Sequence, residues 1–331
     1  MSKKWFVVTG IVLILITAVA SYGGGRRGNY LLSHFGAGRG AAQKHFSNNH
    51  PASKTDTPKT APVGAKTPPN GPVGEPLPWT GDTRVEELKR MYKTPVLIAA
   101  YRASLPEPIL AERFNIGLAA DMLAGMIVMP GEVFSQNNRI GPYTKERGFK
   151  EGPMYSGSRI ISSVGGGVCK IASLLYNVAT LANLRIIERH PHSMTVPYVP
   201  PGQDATVAYG VYDFRFQNVN NGPILIWSKM VENTLYIAFY GQKQPPRVTW
   251  EHKTISRSPF WTETRHNPLL PPGTEKVVIP GQEGVVVHSW LVTELPDGTK
   301  NRQDLGTDFY HACPRVIEIG PKKQAEKPGQ G

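Results

Sequence analysis

The stretch "GGGVCKIASLLYNVATLANLRIIERH", residues 165–190, decides how the rest of the chain is read. Its three glycines permit positive φ and close backbone approach, and they deliver Cys169 into the first turn of a helix. The helical body, residues 169–184, is apolar on most sides, so it is expected inside a core rather than along a surface. After Asn183 the pattern changes to short β-branched and aromatic runs at 185–190, 192–199 and 205–218, then "ILIWSKM" and "TLYIAFYG" around a Val231-Glu232-Asn233 turn. Two more helices are expected upstream. One starts at the N-cap candidate Asp82 with Glu86 and Glu87 in its first turns, and one spans 111–129 until Pro130-Gly131 stops it. Helices first and antiparallel strands later give an α+β domain, with buried helices packed on an antiparallel sheet.

Pro245-Pro246 then breaks the pattern, and a β-rich tail follows with turn signals at Pro280-Gly281 and Asp297-Gly298. The resulting division is a hydrophobic N-terminal segment at 1–22, a basic Pro/Gly-rich disordered linker at 23–80, the α+β domain at 81–245, a small all-β module at 246–320 and a disordered tail at 321–331. The linker carries no helical or strand period, and too few apolar residues to offset the conformational entropy of ordering it.

The helix start is where chemistry is expected. Unsatisfied N–H groups and the positive end of the helix dipole favour a thiolate, which makes Cys169 a candidate nucleophile. His190 or His192, one helix length later, is the candidate base, with Asp204 or, less favoured, Asp213 as the group that orients it. Gly166, Gly167 and Lys170 flank the sulfur. Glu132, Ser135 and Asn137, just after a Pro-Gly turn, are candidates to line the same cleft, although "PGEVFS" reads equally as a turn entering a strand. Plainer readings stand beside these: Cys169 as a buried small hydrophobe, Cys169 paired with Cys313 in an oxidising compartment, or either histidine bonding a neighbouring loop. The sequence has no finger spacing and no HExxH helix, so no metal is expected. "GGGVC" lacks the Gly-Lys-Ser/Thr ending of a phosphate loop, and no cofactor is expected.

The formal charge of +12 is concentrated at the start of the chain, where residues 1–80 hold nine Lys/Arg against two Asp/Glu. No helix-turn-helix, finger or RNP-like pattern accompanies it, so nucleic acid is not the expected partner. A basic tail outside a membrane suits anionic wall polymers or lipid headgroups, and solubility alone explains it as well. Residues 5–20 form an apolar run behind Lys3 and Lys4, about 16 to 18 residues against the roughly 20 that span a bilayer. The run is an export signal, read either as a cleaved signal peptide ending near Ala18-Val19-Ala20 or as an uncleaved membrane anchor.

Three segments between Gly131 and Asp213 have residue types that ordinary packing would not choose: "PGEVFSQNNRIGPYTKERGFKEGPMY", "GGGVC" and "ERHPHSMTVPYVPPGQDATVAYG". In this order and spacing, residues 109–241 resemble the VanW family found in some vancomycin-resistance gene clusters. "PPGTEKVVIPGQEGVVVHSWLV" and the closing Gly320 make residues 269–320 resemble a G5 domain, a module of wall-associated proteins. The two resemblances imply a cell-envelope protein that acts on or binds peptidoglycan. The order of Cys at a helix start, then His and Asp, is also that of papain-like and transglutaminase-like thiol enzymes, by analogy of topology. Family members commonly carry glutamine after the cysteine and a pair of serines two residues on; here Lys170, Ala172 and Ser173 stand at those positions. Two functions follow: thiol chemistry on wall peptide or amide bonds, or a non-catalytic wall-binding scaffold whose exposed aromatics, such as Tyr143, Tyr155, Trp261 and Trp290, meet sugars.

Overall fold

Alternation decides the central sheet. Along Thr234–Gly241, Leu235, Ile237 and Phe239 face one hydrophobic cluster while Tyr236, Ala238 and Tyr240 face another, as a period of two requires when both faces are covered. The computed structural model describes residues 69–105, 108–156 and 159–322, all within one compact unit that spans 63–331. Thr234–Gly241 lies at the middle of a five-stranded antiparallel sheet. Val96–Ser104 and Gly71–Pro72 lie on one side of it, and Ile224–Val231 and Met126–Val128 on the other. Helix α1, Thr83–Met91, packs on the face that buries Leu77, Trp79 and Trp227. Its N-cap is Asp82, whose carboxylate accepts from the Arg84 N–H at 2.9 Å. Helices α2, Leu110–Leu123, and α4, Cys169–Leu181, cover the other face and build the larger core with it. The short helix α3, Gln136–Arg139, is capped by Ser135.

This is the α+β architecture that the sequence implies, followed by a β-rich region. The second region comprises two three-stranded sheets. One joins Arg247–Ser258, Gly284–Glu294 and Lys300–Tyr310, all antiparallel. In the other, Cys313–Ile319 is the centre, parallel to Thr262–His266 and antiparallel to Glu275–Gln282.

Several elements differ from the sequence expectation, each for a local reason. Order begins before Asp82, because Gly71–Pro72 pairs with the sheet and Leu77 and Trp79 are buried. Helix α2 stops at Leu123 rather than near Met129. Gly125 takes φ +89°, a left-handed conformation that glycine adopts freely, and Met126–Val128 then pairs as an edge strand. The expected strands at 192–199 and 205–218 are mostly irregular, with only Arg215–Gln217 in a ladder. Pro197, Pro200 and Pro201 remove backbone donors there, and α4 side chains satisfy the loop instead. The Ser173 hydroxyl accepts from Ala205 N–H and donates to Ala205 O, and Asn177 donates to Gln203 O. The export segment and most of the expected linker and tail lie outside the described residues. Among the described residues no helix is long and apolar enough to cross a membrane.

Candidate thiol site

Helix α4 is buried from Lys170 to Thr180, so its first turn is held rigidly by the core. The glycines ahead of it are needed for space as well as conformation. A Cβ on Gly166 would lie 2.2 Å from the Gly152 carbonyl carbon, and Gly167 has φ +104° against the side chain of Glu112. The helix has no side-chain cap. Lys170 and Ile171 N–H bond the carbonyls of Gly167 and Val168, leaving the Cys169 N–H without a backbone acceptor among the described residues.

Cys169 is half-buried; its sulfur lies 3.4 Å from Thr206 Oγ1 and 3.6 Å from the Val207 carbonyl, and it shares a hydrogen bond with the His192 ring. His192 is buried, and its Nδ1 is 2.7 Å from Asp204 Oδ2, which also accepts from the His192 backbone N–H at 2.7 Å. With Nδ1 engaged by the carboxylate, Nε2 is the ring nitrogen left for the sulfur. Tyr198 Oη stands 3.5 Å from that Nε2. Asp204 is fully buried, and its carboxylate receives two further bonds, from Arg189 Nη2 at 3.1 Å and from the Tyr310 hydroxyl at 2.5 Å. Cys169, Ser173 and Asn177, four residues apart, lie on one face of α4; the first presents the sulfur and the other two hold the backbone on both sides of Asp204.

These contacts set the acidities. Burial opposes ionisation of the thiol, but the hydrogen bond and charge of His192, with Thr206 and the Val207 carbonyl, outweigh it and bring Cys169 down from the usual 9.0 to about 7. Burial likewise opposes the imidazolium, but Asp204 and the sulfur raise His192 from 6.5 to about 9. Asp204, pushed up by burial, is held below its ordinary value by His192 and Arg189. Cysteine and histidine therefore titrate as a pair, held as thiolate and imidazolium between about pH 7 and 9.

The pair opens on a cavity of about 840 Å³. Its walls are the turn from Gly165 to Lys170, Pro153, Met154 and Val164 of the antiparallel pair Glu151–Ser156 and Arg159–Val164, several tyrosines, and Phe309 from the C-terminal module. Lys170 lines it but is not at liberty to act as an oxyanion charge, because its ammonium is bonded to Glu112 and lies 4.9 Å over the Tyr198 ring.

Of the two histidines, His190 also borders the cavity, yet its Nε2 faces Glu188 at 3.2 Å and its ring packs on Tyr212 at 4.5 Å. Asp213 is occupied elsewhere, bonding Ser135 Oγ and the Asn137 N–H. Glu132, Ser135 and Asn137 do not line the cavity: Glu132 pairs with Arg139 and caps Met129 N–H, Ser135 caps α3, and Asn137 bonds Tyr212 O from behind. Their polar atoms serve the turn that enters the strand Val133–Ser135, which is the plainer of the two readings. Cys169 and Cys313 are both thiols and form no disulfide. The residues that sequence reasoning missed are Thr206, Tyr198, Arg189, Ser173, Asn177 and Tyr310. Ser173 and Asn177 carried a legible signal as polar residues at four-residue spacing on a helix otherwise read as apolar.

Residues 111–240 match the family model of VanW-like proteins, and residues 249–322 match that of the G5 domain. The chain is 43% identical over 126 residues to the uncharacterized protein YoaR of Bacillus subtilis, a match covering 38% of this chain and 42% of that protein. It is 29% identical over 137 residues to the vancomycin B-type resistance protein VanW of Enterococcus faecalis, covering 40% and 50%. The chain thus spans half or less of the length of these curated relatives. A solved G5 domain of an IgA1 protease is 27% identical and covers 25% of this chain and 100% of that one, with a TM-score of 0.16. The chain carries a VanW-like domain followed by a G5 domain, and the G5 match begins some 20 residues before the stretch that the sequence motif marks, taking in most of Arg247–Ser258.

Proposed function

We propose that this protein works in the cell envelope and performs thiol-dependent acyl transfer on peptide or amide bonds of the cell wall, with Cys169 as nucleophile, His192 as acid and base, and Asp204 as the group that orients it. One observation carries the reading: a sulfur at an uncapped helix start, bonded to an imidazole whose other nitrogen is held by a buried carboxylate, faces a cavity wide enough for a peptide. The envelope location rests on the VanW-like and G5 domains, whose families are generally extracytoplasmic.

The chemistry balances with water as its one co-reactant. The Cys169 thiolate attacks the carbonyl carbon, and the N–H of Cys169 is the donor placed to meet the oxyanion. Collapse forms a thioester and expels the amine, which takes its proton from the His192 imidazolium. Water then attacks the thioester, His192 removes its proton, and the thiol group is released. Asp204 keeps the Nδ1 proton in place throughout and stabilises the imidazolium.

The test is alkylation of the full chain by iodoacetamide across pH. Cys169 is expected to label half-maximally near pH 7, and Cys169→Ala is expected to remove both that labelling and the release of wall fragments. Labelling that begins only near pH 9 would sink the thiolate. The alternative is a non-catalytic wall-binding or scaffold protein, for which Trp261, 48% exposed, is the better presented of the two tryptophans named from the sequence, since Arg302 already covers Trp290 at 4.1 Å. On that alternative Cys169→Ala leaves both wall binding and the wall itself as they were.

A further inference from the structure

Strand Lys300–Tyr310 of the C-terminal G5 domain meets the thiol site, and its last three residues reach it in different ways. Asp308 receives Arg189 Nη1 on both carboxylate oxygens, at 2.6 and 2.7 Å. Tyr310, 3% exposed, accepts from the Gly202 N–H at 2.8 Å and donates to Asp204 Oδ1 at 2.5 Å. Phe309, between them, borders the cavity mouth. Just beyond the strand, the His311 N–H donates to the Ser193 carbonyl, next to His192.

A tyrosine buried only for its area would be replaced without loss by phenylalanine. Here the hydroxyl is taken out of water and satisfied in both directions, on two groups that flank Gln203 in the loop that carries the orienting carboxylate. Asp204 has one oxygen on the His192 ring, and its other oxygen is shared by Arg189 and Tyr310. Arg189 is itself fixed by Asp308 and lies 5.2 Å over the Tyr176 ring. A carboxylate clamped at its outer oxygen cannot rotate away from the imidazole at its inner one.

We propose that the G5 domain is a working part of the thiol site, with Tyr310 as the positioning residue that fixes Asp204 and, through it, the His192 ring against Cys169. The inference rests on the thiol reading above and adds that the two domains act as one unit. Tyr310 touches no reacting atom; it acts through the carboxylate.

The experiment compares the full chain with Tyr310→Phe, using the pH profile of iodoacetamide alkylation at Cys169, the downfield proton resonance of the His192 Nδ1–H, and thermal unfolding. In Tyr310→Phe the alkylation midpoint is expected to rise by about one unit, so that the rate below the midpoint falls about tenfold, and the resonance is expected to shift or broaden. Arg302→Ala, on the same strand but paired with exposed Glu251, is the control and should move neither. A folded Tyr310→Phe with unchanged midpoint and resonance overturns the proposal and leaves Tyr310 a docking contact. Should Tyr310→Phe fail to fold, Asp308→Asn decides by the same two readouts, since it loosens Asp204 through Arg189. If wild-type Cys169 itself titrates as an ordinary thiol, the catalytic reading fails; the resonance still reports whether Tyr310 holds the Asp204–His192 pair.

Discussion

The chain has two cysteines, and the fold drives them in opposite directions. Cys169 opens a helix beside an imidazole and is brought down to about 7, whereas Cys313 begins a strand, 4% exposed, where burial pushes its thiol up. Burial acts on both in the same sense, so it does not separate them. What separates them is a hydrogen-bonded cation at the sulfur, present at Cys169 through His192; at Cys313 the charge that acts is Glu263, an anion, which raises the thiol further. The comparison teaches that the acidity of a thiol here is set by its partners rather than by exposure.

Substitutions that remove the partners should break the contrast, beginning with the imidazole. His192→Gln is expected to return Cys169 toward 9.0, which lowers its alkylation rate at pH 7 by about 50-fold, while His190→Gln, facing Glu188, changes it by less than about twofold. A His190 effect as large as that of His192 would reassign the base. Next, Asp204→Asn replaces the carboxylate shared by His192, Arg189 and Tyr310 with a neutral amide that keeps only one acceptor oxygen. Chemical denaturation should show a loss of about 3 kcal/mol, with a slower alkylation, whereas Asp213→Asn should leave the alkylation rate unchanged. Last, Cys313→Ser should sharpen the contrast by removing the slower thiol. Labelling should lose only its component above pH 9, with a stability cost of about 1 kcal/mol read in the same denaturation curves.

Much of the fold was legible because it is written in local patterns. The two-residue alternation of Thr234–Gly241 and Ile224–Val231, the Asp82 cap and the all-round apolar body of α4 each depend on residues within a few positions of one another. The failures came where a local preference met a distant demand. Residues 192–199 read as a strand by composition, yet three nearby prolines and the need to bring His192 over a helix start draw them into a loop tied down by α4 side chains. Val96–Ser104, next to the sheet's centre, was not legible as a strand, because Ala99 and Ala100 at its middle carry little β preference and only its place in the sheet decides it.

The candidate site divides along the same line. Which residue types take part, and that a cysteine stands at a glycine-led helix start, were set by the sequence alone, because helix polarity and glycine's conformational range are local properties. Only the tertiary structure chose His192 over His190 and Asp204 over Asp213, and only it brought Tyr310 onto a carboxylate 106 residues earlier. Side-chain direction in an irregular loop and the docking of a second domain depend on how buried polar groups across the whole unit find partners, and no window of sequence contains that.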